Sequence, residues 1–234
     1  MKKILIVILL VLFLAFVFFL FKRTTLAPVV SVLPVIEEKN DTDYIEFDLS
    51  YPDIPEGKYT EMADFLKTNK EDFINDFGSY SEDEAEFLGL GDYKKYSYFV
   101  DTKIATSSNT VSYILQIYNY TGGAHGITNT VTFTYDNEDK LVRLDDVFNT
   151  PDYLNVISEK AYKYFVKKLG ENGDSVTIKD GTRALVQNYY SWYLDGGNIV
   201  FIFNQYAIGP YALGIQEFSL AKSEVPDILN ERYK

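Results

Sequence analysis

The sequence holds one histidine, His125, within Asn119-Tyr-Thr-Gly-Gly-Ala-His-Gly126. Gly122, Gly123 and Gly126 crowd around it. Glycines at that density mark backbone at positive φ, or a close approach by another chain or a ligand. An imidazole in such a loop can serve as a general base, a single metal ligand or a ligand contact. More often it hydrogen-bonds its own loop, and that is the reading carried forward. The Thr row of Ile127–Tyr135, with Tyr118 and Tyr120 close by in sequence, offers a second candidate. Four threonines on one strand face suit either a binding platform or an ordinary solvated sheet surface, and the solvated surface is expected.

Other chemistries find little support. The absence of cysteine excludes a thiol nucleophile, a zinc–thiolate site, an iron–sulfur cluster, a disulfide framework and a Cys-linked lipid anchor. No serine stands in a G-x-S-x-G elbow, so a Ser-His-Asp triad lacks its nucleophile. No P-loop, G-x-G-x-x-G or EF-hand spacing occurs. Asp136–Asp139 has calcium-friendly oxygens but reads as a plain turn. Glycosidase chemistry needs only two carboxylates, and 34 acidic residues neither exclude it nor place it. No catalytic residue, metal or cofactor is therefore assigned.

The elements that must position these residues follow from periodicity. Tyr44–Ser50 alternates as a half-buried strand. Tyr59, Met62, Ala63, Phe65, Leu66, Phe73, Ile74 and Phe77 recur at spacings of three and four, which predicts an amphipathic helix. Strands are expected at Tyr96–Ile104, Val111–Tyr120 and Ile127–Tyr135, the last with its threonines on a wet face. Asp136–Lys140 turns the chain. Thr150-Pro151 opens a second helix that Gly170 ends. Strands follow at Tyr189–Leu194, Ile199–Tyr206 and Leu213–Leu220. Runs of strands with two separate helices predict an α+β fold, an antiparallel sheet or sheets with both main helices packed on one side.

The net charge is −12, distributed unevenly: residues 37–92 carry 18 acids and 4 bases. Nucleic-acid binding is not expected, since phosphate contacts need a cationic face. A cationic partner would be drawn to the acidic part, although a merely solvated surface accounts for the same composition.

Ile4–Phe21 is an unbroken apolar run of 18 residues. As a helix it would span roughly 27 Å, close to a bilayer's hydrocarbon thickness. The run exceeds a cleavable signal's apolar region, and no small-residue cleavage site follows it. Residues 1–23 are therefore expected to form an uncleaved transmembrane anchor, with residues 24–43 as a stalk. Residues 44–234 are expected to form an extracytoplasmic domain with a sub-boundary near 105–125. Lysines and arginine flank the run on both sides, so orientation rests on the short N-terminus staying cytoplasmic.

Two stretches carry a family resemblance. One is Tyr120-Thr-Gly-Gly-Ala-His-Gly126 with Leu144-Asp-Asp-Val-Phe148; the other is Phe203-Asn-Gln-Tyr-Ala-Ile-Gly-Pro-Tyr-Ala-Leu-Gly214. Together they resemble the paired domain of unknown function in the extracytoplasmic part of RsiV-type anti-sigma factors, which also precedes the catalytic domain of PdaC-type peptidoglycan deacetylases. The resemblance runs from about Asp43 to the C-terminus. It implies an α+β module that in RsiV-type proteins captures lysozyme, a cationic enzyme. Three residues precede the apolar run and Lys234 ends the chain, so neither sigma control nor deacetylation is carried over. What the resemblance implies is a membrane-anchored binding or sensing module whose ligand is a lysozyme-like protein or a cell-wall glycan. An envelope hydrolase is the alternative. Gly122, Gly123, His125, Gly126, Tyr206, Pro210 and Tyr211 are the candidate ligand-binding residues.

Overall fold

The structure is a computed structural model that describes residues 31–80, 82–90, 95–170 and 175–234. The apolar segment Ile4–Phe21 lies outside them; among the described residues no helix is long and apolar enough to cross a membrane.

The fold is α+β, built from two sheets. In the first, β1 (Val35–Asp41), β2 (Ile45–Pro52), β3 (Tyr96–Ser107), β4 (Thr110–Tyr120) and β5 (Ile127–Asp136) lie in sequence order. Between β2 and β3 come α1 (Thr60–Phe77) and the short α2 (Glu82–Leu88). The second sheet orders β6 (Trp192–Asp195), β7 (Asn198–Phe203) and β8 (Gln216–Ala221), and α3 (Tyr153–Leu169) and α4 (Ser175–Gly181) precede it.

Several expectations need correction. The first sheet is mixed, because β2 and β3 run parallel, Ile45 pairing with Tyr96 and Leu49 with Val100. The helical crossover between them returns the chain to its starting end, which alternation within a strand cannot reveal. The two main helices do not share one side of one sheet. Met62 and Phe73 of α1 pack on β2, β3 and β4, with Phe73 stacked on Tyr98 at 5.3 Å. Ile157, Ala161 and Phe165 of α3 pack instead on Ile199, Phe201 and Phe203 of β7. The stretch expected to be stalk is already sheet from Val35, where β1 pairs antiparallel with β2. Its outer residues are solvated, so β1 lacks the apolar alternation that marks a strand in sequence.

The helix termini show the local causes. Gly170 caps α3 at φ 55°, a conformation that favours glycine. The helix starts at Tyr153, behind Asp152 rather than Thr150, whose hydroxyl accepts from the Asp152 N–H.

The sheets face each other through β5. Thr132 Oγ1 donates to the Trp192 carbonyl at 2.6 Å and accepts from the Trp192 N–H at 2.9 Å. At the far end of β6 the Gly196 N–H reaches the Thr106 carbonyl at 3.3 Å. β6 thus crosses over β5, β4 and β3 in turn. The threonine face is not wet: Thr130 and Thr134 are buried, and Thr134 shares a hydroxyl hydrogen bond of 2.9 Å with Ser112. The layers run α1, first sheet, second sheet, α3.

Candidate functional site

Register places the first sheet's outer face in rows. Phe99, Tyr118 and Thr128 form one row; Asp101, Gln116 and Thr130 the next; Lys103, Ile114 and Thr132 the third. Successive rows stand about 7 Å apart. Thr132 is already under the second sheet, whereas the Phe99 row is open. Asp48, Phe99, Asp101, Gln116 and Tyr118 line a groove there of about 450 Å³. The Phe99 and Tyr118 rings lie nearly parallel, 5.6 Å between centroids.

The two sequence motifs meet at the end of this groove. Gly122 and Gly123 take φ values of 96° and 88°, so the loop between β4 and β5 needs glycine at both. Gly126 serves the other purpose foreseen for these glycines: a Cβ there would run into the Tyr118 ring. Its carbonyl accepts from the Tyr211 hydroxyl at 3.1 Å and from His125 Nδ1–H at 3.0 Å. The His125 ring stacks on Tyr211 at 3.8 Å and 23°. The expectation that His125 bonds its own loop therefore holds, and among the described residues Nε2 has no hydrogen-bond partner on this exposed side chain. Tyr206 lies 5.8 Å from Tyr211.

The loop between β7 and β8 is held in an unusual conformation. Tyr206 has φ 68°, a region bulky side chains rarely adopt, and the residue is 52% exposed. Gly181, at the end of α4, lies so close to the Ala207 carbonyl that a side chain there would collide with it. Gln205 Oε1 accepts from the Thr128 N–H at 2.7 Å, and Asn204 Oδ1 from the Thr130 N–H at 2.6 Å. These amides fasten the loop to β5. Pro210, extended at φ −67°, leads the chain into Tyr211.

Gly122, Gly123, His125, Gly126, Tyr206, Pro210 and Tyr211 thus belong to one adjoining pair of loops. Sequence reasoning missed Phe99, Asp101, Gln116 and the carboxylate of Asp48, which only strand register brings beside them. A largely apolar cleft lies on the opposite face, between α1 and the β1–β2 edge, lined by Ile36, Leu49, Leu66 and Val100. Lys70, bonded to Glu38, stands at its rim, and none of the motif residues reaches it. Among the described residues no group of three or more His, Asp or Glu side chains is placed to hold a metal ion.

Two family descriptions match the chain. "Deacetylase PdaC" covers residues 38–128, and "Protein of unknown function (DUF3298)" covers residues 145–223. The chain carries a PdaC-type region followed by a DUF3298 region. It is 29% identical over 197 residues to the peptidoglycan-N-acetylmuramic acid deacetylase PdaC of Bacillus subtilis, a match that takes in 83% of this chain and 41% of that protein. The chain therefore spans less than half the length of that relative. A DUF3298 family member from Bacteroides fragilis aligns at a TM-score of 0.59 and 20% identity, over 86% of this chain and 94% of its own. One from Pseudomonas aeruginosa aligns at 0.53 and 16%, over 87% and 97%. These two likenesses show the fold alone. The PdaC-type region supplies Phe99, Gln116, Tyr118 and His125, and the DUF3298 region supplies Tyr206 and Tyr211.

Proposed function

We propose that this PdaC–DUF3298 module is a membrane-anchored, extracytoplasmic binding module whose open sheet face holds a glycan strand of the cell wall. The observation that supports it is the meeting of Tyr118, Gly126, His125 and Tyr211 at one end of an aromatic groove. Sugar rings present apolar C–H faces edged with hydroxyls. Phe99, Tyr118 and the His125–Tyr211 stack offer flat apolar surfaces, and Asp48, Asp101 and Gln116 offer partners for hydroxyls. The peptidoglycan deacetylase among its relatives favours a wall glycan over other sugars. The test is co-sedimentation of the full chain, solubilised in mild detergent, with purified peptidoglycan. Retention should fall at least about tenfold in Tyr118→Ala and Tyr211→Ala, the loss of roughly 1.4 kcal/mol of binding. Retention equal in wild type and variants would overturn the reading. Recovery of the full-length chain in the soluble cytosolic fraction would remove the anchor.

A cationic protein such as lysozyme is the second reading, favoured by the 18 acids against 4 bases of residues 37–92. Such binding would weaken steeply between about 0.05 and 0.5 M salt, because surface attraction is screened beyond the Debye length. Glycan stacking would change little over that range. Hydrolysis of wall substrate that disappears in His125→Ala would favour an envelope hydrolase instead.

A further inference from the structure

Beyond the open row, the groove adjoins a wedge between the two sheets. We infer that this wedge takes a short zwitterionic peptide carried on the bound glycan, an inference that rests on the glycan reading above. The wedge is lined by Lys103, Gln116, Thr130, Tyr193, Asp195 and Glu217, among others. Gln116 lines the aromatic groove as well, so the two adjoin at that side chain. Lys103 follows Asp101 on the same face of β3, about 7 Å further along. A ligand lying on Phe99 and Tyr118 therefore needs only a short branch to enter.

Charge separation gives the wedge its selectivity. Lys103 projects from the first sheet; Asp195 and Glu217 belong to the second. Among the described residues none of the three forms an ion pair, although other lysines of the chain are salt-bridged. Opposite charges held on facing walls, instead of neutralising one another, match a ligand with a carboxylate at one end and an amine at the other. A peptide with side-chain and terminal charges has that form; a plain glycan does not.

Thr130 provides an independent sign. Its N–H is taken by Asn204 Oδ1, and its carbonyl accepts from Asn204 Nδ2 at 3.1 Å and from Ser191 Oγ at 2.5 Å. Its hydroxyl alone is left, buried on a side chain that lines the wedge, with no hydrogen-bond partner among the described residues. A buried hydroxyl left unpaired is costly, and a peptide amide or carbonyl would satisfy it. Burial, with the Glu217 and Asp195 carboxylates adding to it, raises the Tyr193 phenol, so that it stays a neutral donor beside them.

The test titrates the full chain with two soluble wall fragments, a disaccharide bearing its peptide and the same disaccharide after the peptide has been cleaved off. The peptide-bearing fragment should bind at least tenfold more tightly. Lys103→Ala and Glu217→Gln, both at exposed positions, should bring its affinity down to that of the bare disaccharide and leave the bare disaccharide unaffected. Tyr118→Ala should weaken both fragments. Equal affinity for the two fragments overturns the peptide wedge and leaves the glycan reading standing. No binding of either fragment overturns both.

Discussion

At the residue scale, Gly126 couples the two motifs, because the Tyr118 ring occupies the space where its side chain would be and its carbonyl is shared by Tyr211 and His125. Gly126→Ala forces Tyr118 aside. Overpacking of that kind costs about 1–3 kcal/mol, and glycan retention should fall as it does in Tyr118→Ala while far-UV circular dichroism stays unchanged. Asp139 carries a different residue-scale prediction. Its carboxylate is held below the usual range by Lys58 Nζ at 2.6 Å and then by the Tyr59 hydroxyl at 2.6 Å. A carboxylate depressed in the folded state stabilises above its unfolded pKa, near 4, and loses that contribution as pH falls through the folded value. Asp139 sits at φ 61°, which Asn tolerates, so Asp139→Asn changes charge and leaves the turn intact. Denaturant midpoints should show a deficit of about 1 kcal/mol at pH 7 that shrinks toward nothing as the pH falls through the carboxylate's depressed folded value. An equal deficit on both sides of that value would mean the carboxylate's charge is not what Lys58 and Tyr59 hold.

At the element scale, β5 is the strand on which the fold turns. Thr132→Val removes both hydrogen bonds to the Trp192 backbone and leaves that N–H and carbonyl facing a methyl group. Losing two such bonds at a buried seam costs about 2–3 kcal/mol, and a thermal melt should fall by roughly 4–12 °C for a domain of this size. Thr128→Val, in the open row, should cost little. The same strand marks how far the sequence could be read. Its existence, span and facing were legible from alternation, as were α1 from its three-and-four spacing and Gly170 as a helix end. That the threonine face is covered was not legible, because a hydroxyl that bonds another strand's backbone has the same composition as one that bonds water. The parallel pairing of β2 and β3 was hidden for a related reason: alternation states which face a side chain takes, never which strand lies beside it. β1 was missed because its solvated residues show no pattern at all. Within the site, the glycine loop and the Gly-Pro-Tyr turn could be picked out as motifs, whereas Phe99, Gln116 and Asp101 entered only through register.

At the scale of the whole molecule, two cores, one under α1 and one under α3, are joined through a seam in which the Thr132 hydrogen bonds to Trp192 lie beside the buried side chains of Ile114 and Ile202. The wedge straddles that seam, and the groove, lined by the first sheet, meets Tyr211 of the second half at its end. Phe99, Lys103 and Gln116 come from one side and Tyr193, Tyr211 and Glu217 from the other, so neither half can form the site alone. The two family regions, 38–128 and 145–223, meet there, and most of β5 lies between them. If the seam's hydrogen bonds couple the halves, the chain should unfold as one unit. The single tryptophan tests this directly, since Trp192 lies in the seam and reports the second sheet. Its fluorescence and far-UV circular dichroism, which reads both halves, should trace one coincident transition in guanidinium. A ligand at 100 times its dissociation constant should stabilise that transition by about 2.7 kcal/mol, shifting the melt by roughly 5–11 °C. Two separated transitions, with the ligand moving only one of them, would place the binding residues on one half and dissolve the argument that the module works as a pair.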